Sequence, residues 1–203
     1  MTCKDFYWLF IANKQPTVPT AVSRWTEEFN TIQLNWPNIF KLPFLSTIES
    51  KLQAFQYSIL HRYVPHRKLL FRQGLVAAES CNFCTEQDTI VHRFWSCQQT
   101  RLFWAQVERW INMKTNIGIQ LNCTDVMFGI NMNANNDMLY MVNNILLNGK
   151  QFIHKMKYQE RSPELHYFIK FLESKIKIEQ HICNKNGKSH VFKNRWSMPF
   201  SNL

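Results

Sequence analysis

Apolar residues recur along this chain at helical rather than strand spacing. Leu52, Phe55, Ile59, Leu60 and Tyr63 stand at i, i+3, i+7, i+8 and i+11, the repeat of a helix with one buried stripe. They predict a long helix capped by Ser46 or Thr47 and ending near Tyr63, with Lys51, Ser58 and Arg62 on another face. Phe103, Val107, Trp110 and Ile111 repeat the pattern and predict a helix over 98–112. Leu165, Ile169, Leu172 and Ile176 form a third stripe, introduced by Ser162-Pro163-Glu164 as cap, first-turn proline and early acid. Shorter helices are expected over 4–12, over 20–29 with Thr20 as N-cap, and over 66–73, where Pro65 suits the first turn and Gly74 the residue past the end. Residues 137–157 read as another helix. Two prolines make 36–44 a packed connector, 113–136 reads as looser chain, and a turn at 186–188 precedes a last basic, aromatic piece at 192–196.

The expected fold is therefore mainly α, an irregular multi-helix assembly. Three segments divide it: an aromatic N-terminal connector (1–45), a central module (46–112) and a basic C-terminal region (113–203). Only 5 glycines occur, and 45% of the residues are hydrophobic, enough for a real core. No run of 18 apolar residues marks a membrane span, and the first residues lack the features of a secretion signal. The chain is expected in a reducing, intracellular compartment, nucleus or cytoplasm.

Cys81, Cys84, His92 and Cys97 spell C-x2-C-x7-H-x4-C inside 17 residues that hold three of the six cysteines. Thiolates and a neutral imidazole are the ligands Zn²⁺ prefers, and four of them close a tetrahedral shell, which makes such a site structural rather than catalytic. The alternatives are ordinary buried thiols beside an unrelated histidine or a disulfide framework, for which the cysteine spacing is poor. Residues five apart on a regular α-helix point about 140° apart. His92 is therefore expected at the end of a short turn and Cys97 at the start of the next helix. His61 and His66 are spare imidazoles that read as polar helix positions near a turn.

The net charge is +10 and unevenly spread. Lys51, Arg62, Arg67, Lys68 and Arg72 stand without an intervening acid, and a second basic block runs from Lys150 to Arg195. Such blocks attract phosphate backbones by releasing counterions; the alternative is a solvated helical face. The candidate nucleic-acid contacts are Arg67, Lys68, Arg72, Arg93 and Arg101, with Trp95 or Phe94 stacking on an unpaired base. For Phe94, packing beside the metal is the favoured role.

In order, Lys51, Phe55 and Ile59 on a helix, Gly74-Leu75, Cys81, Cys84, the acids Glu86 and Asp88, His92, Phe94, Cys97 and Trp104 resemble the zinc-binding segment downstream of the polymerase in LINE-type (non-LTR) retrotransposon reverse transcriptases. The similarity is specific over 51–111 and looser on both flanks. It implies a C-terminal, non-catalytic module holding template RNA or target DNA beside the reverse transcriptase domain of a parent polyprotein. Asp5, Asp88, Asp125 and Asp137 each stand alone in the sequence, whereas two-metal polymerases and nucleases need converging carboxylates. Two other readings stand beside this one. The aromatic faces carrying Trp8, Trp25, Trp36, Trp104 and Trp110 would dock on an absent polymerase domain, or the chain is a relic of the element without a role.

Overall fold

The computed structural model describes residues 18–30, 32–130 and 137–196; the helix expected over 4–12, with Trp8 and Cys3, lies outside them. Nine α-helices and one π-helical turn make up the regular structure of the described residues: α1 (Thr20–Glu28), α2 (Trp36–Ser46), α3 (Ser50–Leu60), α4 (Arg67–Arg72), the π turn (His92–Ser96), α5 (Gln98–Thr115), α6 (Cys123–Phe128), α7 (Asp137–Tyr158), α8 (Leu165–Lys185) and α9 (Ser189–Trp196). Among the described residues the only β pairing is a single antiparallel bridge, Ser80 to Gln87. The mainly α, irregular assembly is what the apolar spacing predicts. No helix among the described residues is long and apolar enough to cross a membrane.

The chain divides into two compact units, one ending at Leu34 and one beginning at Asn35. The divisions expected after residues 45 and 112 fall inside α2 and α5. In the first unit, α1 buries Ala21 and Trp25, and Trp25 stacks obliquely on Phe29 with ring centroids 6.0 Å apart. Pro19 rather than Thr20 holds its N-cap position, with no side-chain cap bond.

The second unit is built around α7, which packs against α2, α3, the π turn, α8 and α9. Every residue from Met141 to Lys150 is buried, so this stretch of the helix has no solvent face. A helix enclosed on all sides must satisfy its polar side chains internally. Asn143 donates to the Ile130 carbonyl at 3.2 Å and accepts from the Ile130 N–H at 2.8 Å. Asn144 donates to the Ser46 carbonyl at 2.9 Å and to Glu179 at 3.1 Å. Lys150 donates to Gln56 Oε1 at 2.6 Å and to the Met127 carbonyl at 3.2 Å. Gly149 is where α5 leans on α7: a Cβ there would lie 2.5 Å from Trp104 Cη2, so only glycine admits the indole. Trp104 Nε1 in turn donates to the Phe94 carbonyl at 2.7 Å, joining α5 to the π turn.

Several expected boundaries move for identifiable reasons. The connector expected at 36–44 is helix α2, because Pro37 sits in its first turn, where a proline fits, and Asn35 Oδ1 accepts from Asn38 N–H at 3.2 Å. The helix expected from Ser46 or Thr47 to Tyr63 is the shorter α3. Arg62 takes a left-handed conformation (φ 63°) that ends it, leaving Tyr63 71% exposed, while Gln56 is buried in its place. The looser chain expected at 113–136 contains α6, whose Asn122–Asp125 capping box is complete. In α8 the buried face is Phe168, Leu172, Glu179 and Cys183 rather than the purely apolar stripe. Glu179 is admitted because Arg195 of α9 reaches it at 2.7 Å and also donates to the Ser46 and Leu45 carbonyls at 3.0 and 2.8 Å.

Candidate metal centre

Between α4 and α5 the chain forms a tight knuckle. Cys81 N–H donates to the Glu86 carbonyl at 2.8 Å and Asp88 N–H to the Glu79 carbonyl at 2.9 Å, and together with the Ser80–Gln87 bridge these bonds fold Cys81 and Cys84 into one small hairpin. The second pair of ligands comes from the π turn. Cys97 N–H bonds the His92 carbonyl at 3.0 Å, an i to i+5 link, and this widened turn puts residues five apart on one side. The angular conflict that a regular α-helix would create is removed in this way. Cys97 is the N-cap residue of α5, as expected, although the π geometry itself had no sequence signal.

The ligand atoms of Cys81, Cys84, His92 and Cys97 all lie within 4.8 Å of one another. Cys81 Sγ is 3.9 Å from Cys97 Sγ, and Cys84 Sγ is 3.3 Å from His92 Nε2. A tetrahedral ion bonded at about 2.3 Å to sulfur and about 2.05 Å to nitrogen sets two sulfurs about 3.8 Å apart and a sulfur and a nitrogen about 3.6 Å apart. The donor set therefore fits one ion with little adjustment. Cys81, His92 and Cys97 are buried and Cys84 half-buried.

Cys81 and Cys97 are coupled through their sulfurs. Their shared hydrogen bond, with help from His92 and against burial, pulls the Cys97 thiol far down, and the same bond together with burial pushes Cys81 up. Three thiolates around a divalent cation carry a net charge of −1, and a compensating cation is at hand: the buried Lys157 Nζ donates to Cys81 Sγ at 3.3 Å.

Asp88 braces the knuckle from behind. It is 1% exposed. Its Oδ2 accepts from the Arg67 backbone N–H at 2.9 Å, capping α4, and from Arg93 Nη2. Lys157 Nζ stands 3.9 Å from Oδ1. Burial alone would push this carboxyl up, but Arg93, the Arg67 N–H and Lys157 outweigh it and hold it below its ordinary value. His154 Nδ1 lies 3.3 Å from Arg93 Nη1; burial, then the guanidinium, push this imidazole down to about 4. It is therefore neutral near pH 7 and free to accept.

The residues assigned to nucleic acid from sequence fall into two groups. Arg72 and Arg101 are exposed, and Arg67, Lys68 and Trp95 are half-buried; Lys68 Nζ donates to Gln87 Oε1 at 2.8 Å. Arg93 lies inside, 6% exposed, with Asp88 and His154 on its two amino groups. Phe94 is fully buried, edge-on to Phe55 at 6.1 Å, so packing is its role. His66 is no ligand: its Nδ1 bonds the Asp88 carbonyl at 2.8 Å. Lys157 and His154 carry no signal in the sequence, where nothing ties α7 to a knuckle more than 60 residues away. No protein-family model matches this sequence, and no curated protein matches it.

Proposed function

We propose that this chain is a non-catalytic module in which Cys81, Cys84, His92 and Cys97 hold one structural Zn²⁺ and the surrounding basic surface binds single-stranded RNA or DNA. The observation that carries the metal assignment is the S₃N donor set gathered within 4.8 Å, since soft thiolates with one imidazole in tetrahedral array select zinc. The ion would tie the hairpin to the π turn, supplying folding energy rather than chemistry. The net charge of +10, with Arg67, Lys68 and Arg72 leading into the knuckle and Arg101 leaving it, supports attraction to a phosphate backbone.

The non-catalytic part of the reading is supported by how the acids are engaged. Asp88 is bound by Arg67, Arg93 and Lys157, and Asp125 closes the capping box of α6. The basic helix, knuckle and tryptophan-bearing helix keep the order that likens the chain to the C-terminal segment of LINE-type reverse transcriptases. In that setting the partners would be template RNA or target DNA and the polymerase domain of the parent polyprotein. The docking alternative draws less support, because Trp25, Trp104 and Trp110 are buried and Trp36 packs edge-on to Phe128 at 5.7 Å.

Native mass spectrometry with and without a chelator, followed by single-strand binding across a salt series, tests the proposal. One zinc per chain is expected, with affinity falling as salt rises. A metal-free native chain, or an affinity indifferent to salt, would overturn the corresponding half.

A further inference from the structure

We propose that the cavity beside the metal cluster receives one unpaired nucleotide of the bound strand, its base against Phe83 and Tyr158 and its phosphate toward the guanidinium groups of Arg67 and Arg93. The inference rests on the nucleic-acid reading above and names the place where that strand is gripped.

The cavity has a volume of about 420 Å³ and is lined by these four residues together with Lys157 and Asn82, among others. That size falls in the range of small-molecule sites, which are mostly apolar with a few placed polar groups. Two guanidinium-bearing residues line it beside the Asp88 carboxylate. Arg93 is 6% exposed; its amino groups are engaged, but its Nε–H is buried without a partner, and so is the Nε–H of Arg67. Carboxylate and phosphate oxygens are the acceptors a guanidinium engages in bidentate fashion. Three cationic side chains (Arg67, Arg93 and Lys157) line the cavity against two carboxylates (Asp88 and Glu160), an excess of one positive charge that suits the single charge of a phosphodiester.

Two aromatic residues, Phe83 and Tyr158, also line the cavity. Phe83 is the residue just before Cys84, so the knuckle itself fixes the placement of its ring, and Lys157 Nζ lies 5.7 Å from the ring centroid. Tyr158, the last residue of α7, is 85% exposed, so its ring is open to a ligand. Asn82 Nδ2 donates to Glu160 Oε1 at 2.9 Å, and both residues line the cavity, so an amide and a carboxylate are at hand for a base edge. A base stacked in a duplex has no free face for either ring, so the site selects single strands.

The test uses the zinc-loaded full chain, a labelled 12-nucleotide oligouridine and a duplex RNA of equal length, read by fluorescence anisotropy at fixed salt. Variants are Phe83→Leu, Tyr158→Ala and Arg67→Gln, with zinc content measured for each. Single strands are expected to bind more tightly than duplex. Each aromatic variant should weaken single-strand binding about tenfold, the scale of one base–aromatic stack, while duplex binding stays within about twofold. Arg67→Gln should weaken the single strand with a smaller salt slope. Should Phe83→Leu lose zinc, Tyr158→Ala, on the exposed rim, decides alone. Equal affinity of wild type and variants for the oligouridine, or equal losses on both nucleic acids, overturns the cavity assignment and leaves the nucleic-acid reading standing. Absence of any strand binding by the wild type removes both.

Discussion

Lys150 offers the sharpest energetic test of this core. Its side chain is 1% exposed, and its ammonium meets only Gln56 Oε1 and the Met127 carbonyl, with no carboxylate beside it among the described ion pairs. Burial pulls it from 10.5 down to about 7. At about 1.4 kcal/mol per tenfold change in acidity, the charged form costs the fold about 5 kcal/mol. The sign follows from proton counting. Between pH 7 and 10.5 the unfolded chain holds a proton that the folded chain has released, so stability rises with pH through that window. Below pH 7 the penalty is fully present and constant. Lys150→Met keeps the unbranched stem and removes the charge, but it strips Gln56 Oε1 of its donor, at about 1–3 kcal/mol. The variant should therefore be more stable than wild type by about 2 kcal/mol at pH 7, and that lead should shrink by about 2 kcal/mol by pH 9. Urea unfolding followed by tryptophan fluorescence at pH 7, 8 and 9 reads both quantities, and the titration of the metal site cancels in the difference. Parallel pH profiles for the two proteins would refute the argument.

Three further outcomes rest on the packing. Cys81→Ser, Cys84→Ser, His92→Ala and Cys97→Ser should each lower zinc from one ion per chain and loosen residues 80–104 in hydrogen exchange, whereas Cys123→Ser and Cys183→Ser keep full metal; loss in all six would refute the ligand set. Gly149→Ala should destabilise by about 1–2 kcal/mol net, because the added methyl would sit 2.5 Å from Trp104 Cη2. In a Trp104→Phe background that penalty should vanish in a double-mutant cycle. Arg195→Met leaves Glu179 buried without its counter-charge and takes a donor from the Leu45 carbonyl, while the Ser46 carbonyl keeps Asn144, so thermal unfolding should register a loss of about 3–5 kcal/mol; an unchanged midpoint would mean that α9 is not anchored by this pair.

The parts of this structure legible in the sequence are the local ones. The apolar stripe of α5 buries as its spacing requires, since Phe103, Val107, Trp110 and Ile111 answer to a single face. The four ligands are readable because they lie within one short segment whose cysteine and histidine spacing suits a single ion. What surrounds them is not: Lys157 and Cys81 are 76 residues apart, and nothing on either segment announces the other. The same holds for α7, whose Asn143, Asn144, Asn148 and Lys150 look like a solvated face until five other elements enclose them. The end of α3 escapes for a different reason. Arg62 adopts a left-handed backbone that only glycine or asparagine would have advertised.

The π turn has a consequence for how this chain tolerates change in length. The widened turn absorbs one extra residue while keeping His92 and Cys97 on a common side. Shortening the 92–96 segment by a single position would leave the two ligands four apart, and four residues of an ordinary α-helix advance about 400°, so both would still face one ion. A further residue is different: six on an α-helix advance about 600°, which sets Cys97 about 120° off the His92 side. A one-codon insertion here should therefore be far more damaging than a one-codon deletion, and a deep indel scan would show the contrast directly.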